Sequence, residues 1–274
     1  MCPNDRPDTD VLTLCRNWLL IWLCLLALPA FAAADGELLQ IASRPGVTVP
    51  VYWRPQANAT ATLVLLPGGG GGIGARKEDG WPGGRNFLIR SGQLFAQHGF
   101  NIAMVSHPSD VADLSYEFRT SAEHLKDLHA VLAQLKARSD APIWVVGTSR
   151  GSISATALAI AERDSQLMAG LVLTSSVTSF KKSGAVPRQD LEKIRIPVLV
   201  MHHEKDACPV CQPHEVPLIM AGLKNAPIKK LMMVNGGSNP SGSVCEAEHW
   251  HGYINMEAEA VDLIAGWINK PSAP

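Results

Sequence analysis

From Glu37 onward, short apolar runs alternate with stretches in which apolar residues recur every three or four positions. The runs "LLQIAS", "VTVPVYW", "TLVLLP", "NIAMVSH", "PIWVVG", "AGLVLTS", "IPVLVMHH" and "IKKLMMVNG" predict strands, and those that are apolar throughout fit a sheet covered on both faces. Between them the pattern predicts helices over 87–98, 117–138, 152–163, within 216–223, and over about 255–269. The last places Met256, Ala260, Leu263, Ile264, Trp267 and Ile268 on one face, with Glu257, Glu259 and Asp262 elsewhere. Alternating strands and helices predict an α/β fold, a doubly wound, mostly parallel sheet with right-handed crossovers. The first two strands have no helix between them and predict an antiparallel edge at the N-terminal end of the domain. No linker interrupts the pattern, so residues 35–274 read as one domain.

The first 34 residues read differently. Arg16 precedes "NWLLIWLCLLALPAFAAA", a short apolar stretch ending in small residues around Ala30, Ala32 and Ala34, the arrangement of a cleaved signal peptide. Its apolar core, Trp18 to Leu28, is short for a membrane span. The expectation is an exported protein, periplasmic or secreted, with no stable membrane insertion after cleavage. Across the 274 residues, 46% are hydrophobic and 18% charged, with a formal net charge of −1. That is enough apolar material for a substantial core, and no charge excess points to nucleic acid as a partner.

One short motif changes the picture. "GTSRG", Gly147 to Gly151, lies between the run "PIWVV" and a helix-like segment, and Gly-x-Ser-x-Gly carries weight only in that strand–turn–helix setting. The bland reading is a glycine-flanked turn. The chemical reading is that Ser149 is held on a sharp turn with its hydroxyl presented, while the following helix directs its first N–H groups toward the same point. The order of "LLPGGGGG" after an early strand, "GTSRG", Asp206 after a later strand, and "HGY" before the last helix resembles the α/β-hydrolase fold superfamily, its esterases and dienelactone-hydrolase-like members. The resemblance spans about residues 37–270.

It implies a serine nucleophile, an acid and a histidine, in that chain order. The matching positions are Ser149, Asp206 and His251. Glu204 is the neighbouring rival acid, and Asp190 lies on the wrong side of its strand. His249 is the rival base, but only His251 is followed by Gly252 and Tyr253. The resemblance also implies an oxyanion hole from backbone N–H groups, one from the "PGGGGG" loop, for which Gly69 and Gly70 are named, and one from Arg150. The short stretch from Thr174 to Arg195 predicts little or no lid. The implied activity is hydrolysis of an ester or related acyl bond in a small-molecule substrate, with no cofactor and no metal.

After signal removal the remaining cysteines are Cys208, Cys211 and Cys245. If the acid and base loops meet, Cys245 comes near the pair, and a disulfide is expected. The choice of Cys208 as its partner rests partly on the resemblance, in which a cysteine just after the acid recurs; Cys211 is the alternative. Two readings from other classes stand beside the enzyme: a non-catalytic binding protein on the same fold, and a zinc-binding protein using His202, His203, Cys208, Cys211 and His214. An active-site serine probe separates the first, and metal analysis the second. Substrate chain length and oligomeric state are not legible.

Overall fold

The computed structural model describes residues 36–273, so the expected signal peptide lies outside the described residues. Eight strands form one sheet in the order β1-β2-β4-β3-β5-β6-β7-β8. They are β1 (Glu37–Arg44), β2 (Val47–Arg54), β3 (Ala61–Leu66), β4 (Phe100–Val105), β5 (Ile143–Thr148), β6 (Gly170–Thr174), β7 (Val198–His203) and β8 (Lys229–Val234). β1 pairs antiparallel with β2, and β2 antiparallel with β4; all other pairings are parallel. This is the antiparallel edge expected from two strands without a helix between them.

Every residue of β3 to β7 is buried, which is why their sequences are apolar runs rather than alternating ones. Alternate side chains feed two cores. Val64, Leu66, Val145, Leu171 and Val200 enter one, and Leu63, Leu65, Val146, Val172 and Leu199 the other. The first core is closed by α3 (Ala122–Lys136), α4 (Arg150–Ala161) and α5 (Val216–Gly222). The second is closed by α1 (Phe87–Arg90), α2 (Gly92–Gln97) and α6 (Glu257–Asn269).

The helix ends differ from the periodic pattern for local reasons. The stretch 87–98 is two short helices: Asn86 caps the first, its Oδ1 accepting from the Leu88 N–H at 3.1 Å, and the chain re-forms at Ser91. α3 starts only at Ala122, because Ser121 is extended (φ −72°, ψ 155°) and its Oγ accepts from the His124 N–H. A single 3-10 turn, Phe118–Thr120, precedes it. α6 begins at Glu257, after Tyr253 and Asn255 take positive φ. Leu263, expected on its buried face, is 37% exposed, and Val261 and Ala265 pack inward instead.

β3 lies between β4 and β5, so the chain winds one way from β3 to β4 and the other way from β5 onward. The loops after β3 and β5 therefore part at this point, and the gap at the carboxyl edge of the strands is where α/β sheets place ligands. Residues 175–197, between β6 and β7, hold only two 3-10 turns, Val186–Arg188 and Leu191–Lys193, and no helical insertion covers the gap.

Candidate active site

β5 runs into α4 through Ser149, whose backbone stands at φ 50°, ψ −128°. A non-glycine residue there costs about 1–3 kcal/mol and persists only where its surroundings impose it. Three glycines show how. A Cβ on Gly147 would lie 2.6 Å from the Gly151 carbonyl oxygen and 2.7 Å from the Ala155 Cβ. One on Gly151 would collide with the Leu66 carbonyl, and one on Gly68 would come 2.7 Å from the Ser149 Cβ. Neighbouring main chain thus presses on the turn from both sides. The Ser149 N–H donates to the Thr174 carbonyl at 3.1 Å. Its carbonyl accepts from Ser152 Oγ at 2.6 Å and from the Ser152 N–H. Although Ser149 precedes the helix, its side chain makes no capping bond and instead shares a hydrogen bond with the buried Cys211 thiol.

Asp206 follows β7 and is buried. Its Oδ1 accepts from the Cys208 N–H at 2.9 Å, and its Oδ2 from His251 Nδ1 at 2.8 Å. A second imidazole, His202 at the end of β7, brings Nε2 to 3.3 Å from the same Oδ2 while also meeting the Cys211 carbonyl at 2.9 Å. Burial pushes the Asp206 carboxyl up, but the hydrogen bonds from His202 and His251 outweigh it and hold it at about 2. The acid is therefore ionised at neutral pH. His251 is fixed from its own backbone as well: Ser175 Oγ donates to the His251 carbonyl at 2.8 Å. Two residues on, Tyr253 packs its ring 4.7 Å from Phe87 and donates its hydroxyl to the Met201 carbonyl. His251 Nε2 is buried and has no hydrogen-bond partner among the described residues.

Ser149 and His251 line one cavity of about 230 Å³, with Gly68, Gly69, Gly70, Gly72, Arg85, Phe87 and Cys245. Gly68 is the glycine pressed against Ser149; Gly69, at φ 55°, and Gly70 follow it around the rim. Among the described residues no acceptor takes the Gly69 or Gly70 N–H, whereas both carbonyls are engaged: Gly69 by Arg119 Nη2 at 2.9 Å, Gly70 by the Leu114 N–H at 2.9 Å. Because the C=O and N–H of one trans peptide point opposite ways, holding the Gly69 carbonyl on Arg119 turns the Gly70 N–H away from that contact. The Gly71 N–H is spent on the Gly68 carbonyl at 3.1 Å. The Arg150 side chain is likewise turned away, toward Asp113 at 3.6 Å and over the Tyr116 ring.

Arg119 does much of this holding. It is 1% exposed and donates to the carbonyls of Pro67, Gly69 and Leu114 and to Ser154 Oγ, with no carboxylate among these acceptors. Burial lowers its pKa to about 9, so at neutral pH it is still a cation beneath the glycine loop. Ser154 also meets His124 Nε2 at 2.9 Å, and burial lowers the His124 pKa to about 3, keeping that ring neutral.

The rival candidates do not converge on the serine. Glu204 accepts from Asn235 Nδ2, and Asp190 pairs with Lys193 at 2.6 Å. His249 is half-buried beside Trp250. Of the residues read for zinc, His203 stacks on Trp250 and reaches the Gly236 carbonyl and His202 turns to Asp206, while Cys208 and Cys211 stay close together. Cys208 is bonded to Cys245, tying the acid loop to the histidine loop, and Cys211 is free and buried. Arg119 and Ser175 carried no sequence signal, since each acts through contacts with residues distant in the chain; His202 was read as a metal ligand, and only the fold shows its strand-end side chain turned to Asp206.

No protein-family model matches this sequence, and no curated protein matches it. Solved structures do match the fold. An esterase from Pyrobaculum calidifontis superposes with a TM-score of 0.61 at 18% identity, covering 97% of this chain and 95% of that one. An α/β serine hydrolase without a lid from Xanthomonas campestris gives 0.54 at 16%, covering 88% and 98%. A dienelactone hydrolase from Anabaena variabilis gives 0.55 at 14%, covering 86% and 98%. With the strand order, the serine turn and the uncovered strand ends already described, this chain has the α/β-hydrolase fold in its lidless form.

Proposed function

We propose that the protein is a serine hydrolase that cleaves ester or related acyl bonds of small molecules. One observation carries the reading: His251 is clamped by a buried, ionised Asp206 through Nδ1, while its Nε2 is left unpartnered at the cavity that holds Ser149. In this reading Nε2 takes the Ser149 proton as Oγ attacks the substrate carbonyl. A modest side-chain adjustment brings the two together once substrate is bound, as unliganded sites commonly require. Asp206 keeps the ring in the tautomer with a proton on Nδ1 and stabilises the imidazolium that forms. The N–H groups of Gly69, Gly70 and Arg150 stabilise the oxyanion, with the Arg119 charge behind them. His251 returns the proton to the leaving alcohol, and water then releases the acyl group by the same steps in reverse. The small cavity favours short acyl groups. Export fits the Cys208–Cys245 bond, which persists in oxidising compartments.

The test is labelling with a fluorophosphonate followed by a panel of p-nitrophenyl esters. Stoichiometric modification of Ser149 and faster turnover of short-chain esters are expected. A folded protein that neither labels nor turns over any ester sinks the proposal.

A further inference from the structure

Among the described residues, the sulfurs of Cys208 and Cys211 and a ring nitrogen of His251 lie within 4.8 Å of one another, all three side chains buried. The two cysteines stand at Cys-x-x-Cys spacing, and the turn between them is closed by the Cys211 N–H donating to the Cys208 carbonyl at 2.9 Å. Cys211 is a free thiol that shares a hydrogen bond with the Ser149 side chain, and His251 Nε2 is a buried nitrogen without a partner among the described residues. Cys208 is taken by its covalent bond to Cys245. Zinc takes thiolate sulfur at about 2.3 Å and imidazole nitrogen at about 2.0–2.1 Å in a tetrahedral shell. Its donors therefore sit somewhat closer together than this cluster does, and rotation of a freed Cys208 side chain would close the difference.

We infer that the dithiol form of this chain binds a zinc-class divalent cation through Cys208, Cys211 and His251, a site that the Cys208–Cys245 disulfide abolishes. The dithiol form is any chain in which Cys208 and Cys245 have not been oxidised, or one whose disulfide has taken up two electrons and two protons from a reductant. Binding releases the thiol protons of Cys208 and Cys211 to solvent and uses His251 as a neutral ligand. The cation occupies the imidazole that the proposed reaction needs, so the metal form is inactive and formation of the disulfide removes both a ligand and the block. That consequence rests on the serine-hydrolase reading; the metal site itself does not.

The experiment uses the full chain, opened anaerobically by a water-soluble phosphine, which becomes the phosphine oxide with oxygen from water as the disulfide becomes two thiols. After its removal the protein is titrated with Co²⁺, then Zn²⁺, with near-UV circular dichroism followed throughout. Expected are one equivalent of Co²⁺, a thiolate-to-metal charge-transfer band with the visible spectrum of a tetrahedral ion, and displacement by Zn²⁺. The oxidised protein shows no such band, Cys211→Ser binds at least tenfold more weakly, and Cys245→Ser binds like the reduced parent. A folded reduced protein without the band overturns the inference, as does a band unchanged in Cys211→Ser. Loss of the near-UV signal in both the reduced parent and Cys245→Ser also overturns it, because the site needs His251 held beside the turn. In parallel, one equivalent of Zn²⁺ should remove most ester turnover from the reduced form and little from the oxidised one. The cobalt spectrum in a chain with no ester turnover at all would instead sink the hydrolase reading and keep the site.

Discussion

On the serine side of the cavity, main chain packs against main chain. Gly68, Gly147 and Gly151 have no space for a Cβ, and Ser149 is forced into its turn by atoms that cannot move far. On the histidine side, the chain between β8 and α6 is long, and most of it is exposed or half-buried up to Trp250. There His251 is held by a disulfide, the Ser175 hydroxyl, Tyr253 and the Asp206 carboxylate. One support is steric and tolerates almost no substitution. The other is a set of separable tethers, each of which can be removed singly and its share measured.

The largest effect is expected where the sides meet. Ser149→Ala should lower ester turnover by about 10⁴-fold or more with thermal unfolding unchanged, and His251→Ala should match it. The double variant should lose little beyond either single one; additive losses in the kinetics would mean the two do not act as a unit. Next comes the covalent tether. Cys245→Ala opens a bond that closes a 37-residue separation, and chain entropy puts its contribution at roughly 4 kcal/mol in urea unfolding. A change below about 1 kcal/mol, set against that estimate, would show that the histidine loop is held by its other contacts.

Arg119→Met tests the serine side. Without the guanidinium the Gly69 carbonyl loses its donor, and turnover should fall about 10²-fold, the scale of one lost oxyanion contact. Arg119→Lys should recover part of kcat at an unchanged KM. A loss confined to KM would assign Arg119 to substrate binding rather than to the loop.

His124 gives a smaller, pH-dependent effect. Its folded pKa is about 3 against an ordinary 6.5, so below pH 6.5 the unfolded chain takes a proton that the folded chain refuses. Stability falls as pH drops through this window, by about 1.4 kcal/mol per pH unit for one such group. Between pH 6 and 4, His124→Gln should flatten the slope of unfolding free energy by one proton's worth; an unchanged slope would place the acid sensitivity elsewhere. Smallest of all, His249→Ala should alter turnover only a few-fold in the ester assay, and a collapse there would exchange the roles given to the two histidines.

The same contrast explains what could be read from the sequence. Steric requirements write themselves as glycines, so the serine turn was visible in "GTSRG", and buried central strands as apolar runs. Gly69 and Gly70 were named because the family resemblance implies a donor from this loop, but that Gly68 is the residue against Ser149 depends on how β3 and β5 pair. Side-chain tethers leave no such mark. Strand alternation sends His202 and His203 to opposite faces, yet nothing in "HHEKD" shows that His202 turns back onto Asp206. The start of α1 at Phe87 was legible but the break at Ser91 was not, and the start of α3 was missed because Ser121 caps the helix inside a stretch whose apolar spacing continues across it. Leu263 fitted the helical period but sits at the edge of the α6 interface, where the neighbouring Ile264 and Trp267 already fill the core.

α4 shows a further consequence of its burial. From Gly151 to Ala159 none of its residues reaches solvent appreciably, because small side chains let it sink between the sheet and its neighbours. Such a helix has no face along which it can fray on its own. Its amide hydrogens should exchange with solvent deuterium only when the whole domain opens, whereas those of Gly237 to Ser243 should exchange in local fluctuations. Ser149 would then sit at the head of the slowest-exchanging segment of the protein, while the chain leading toward His251 exchanges among the fastest.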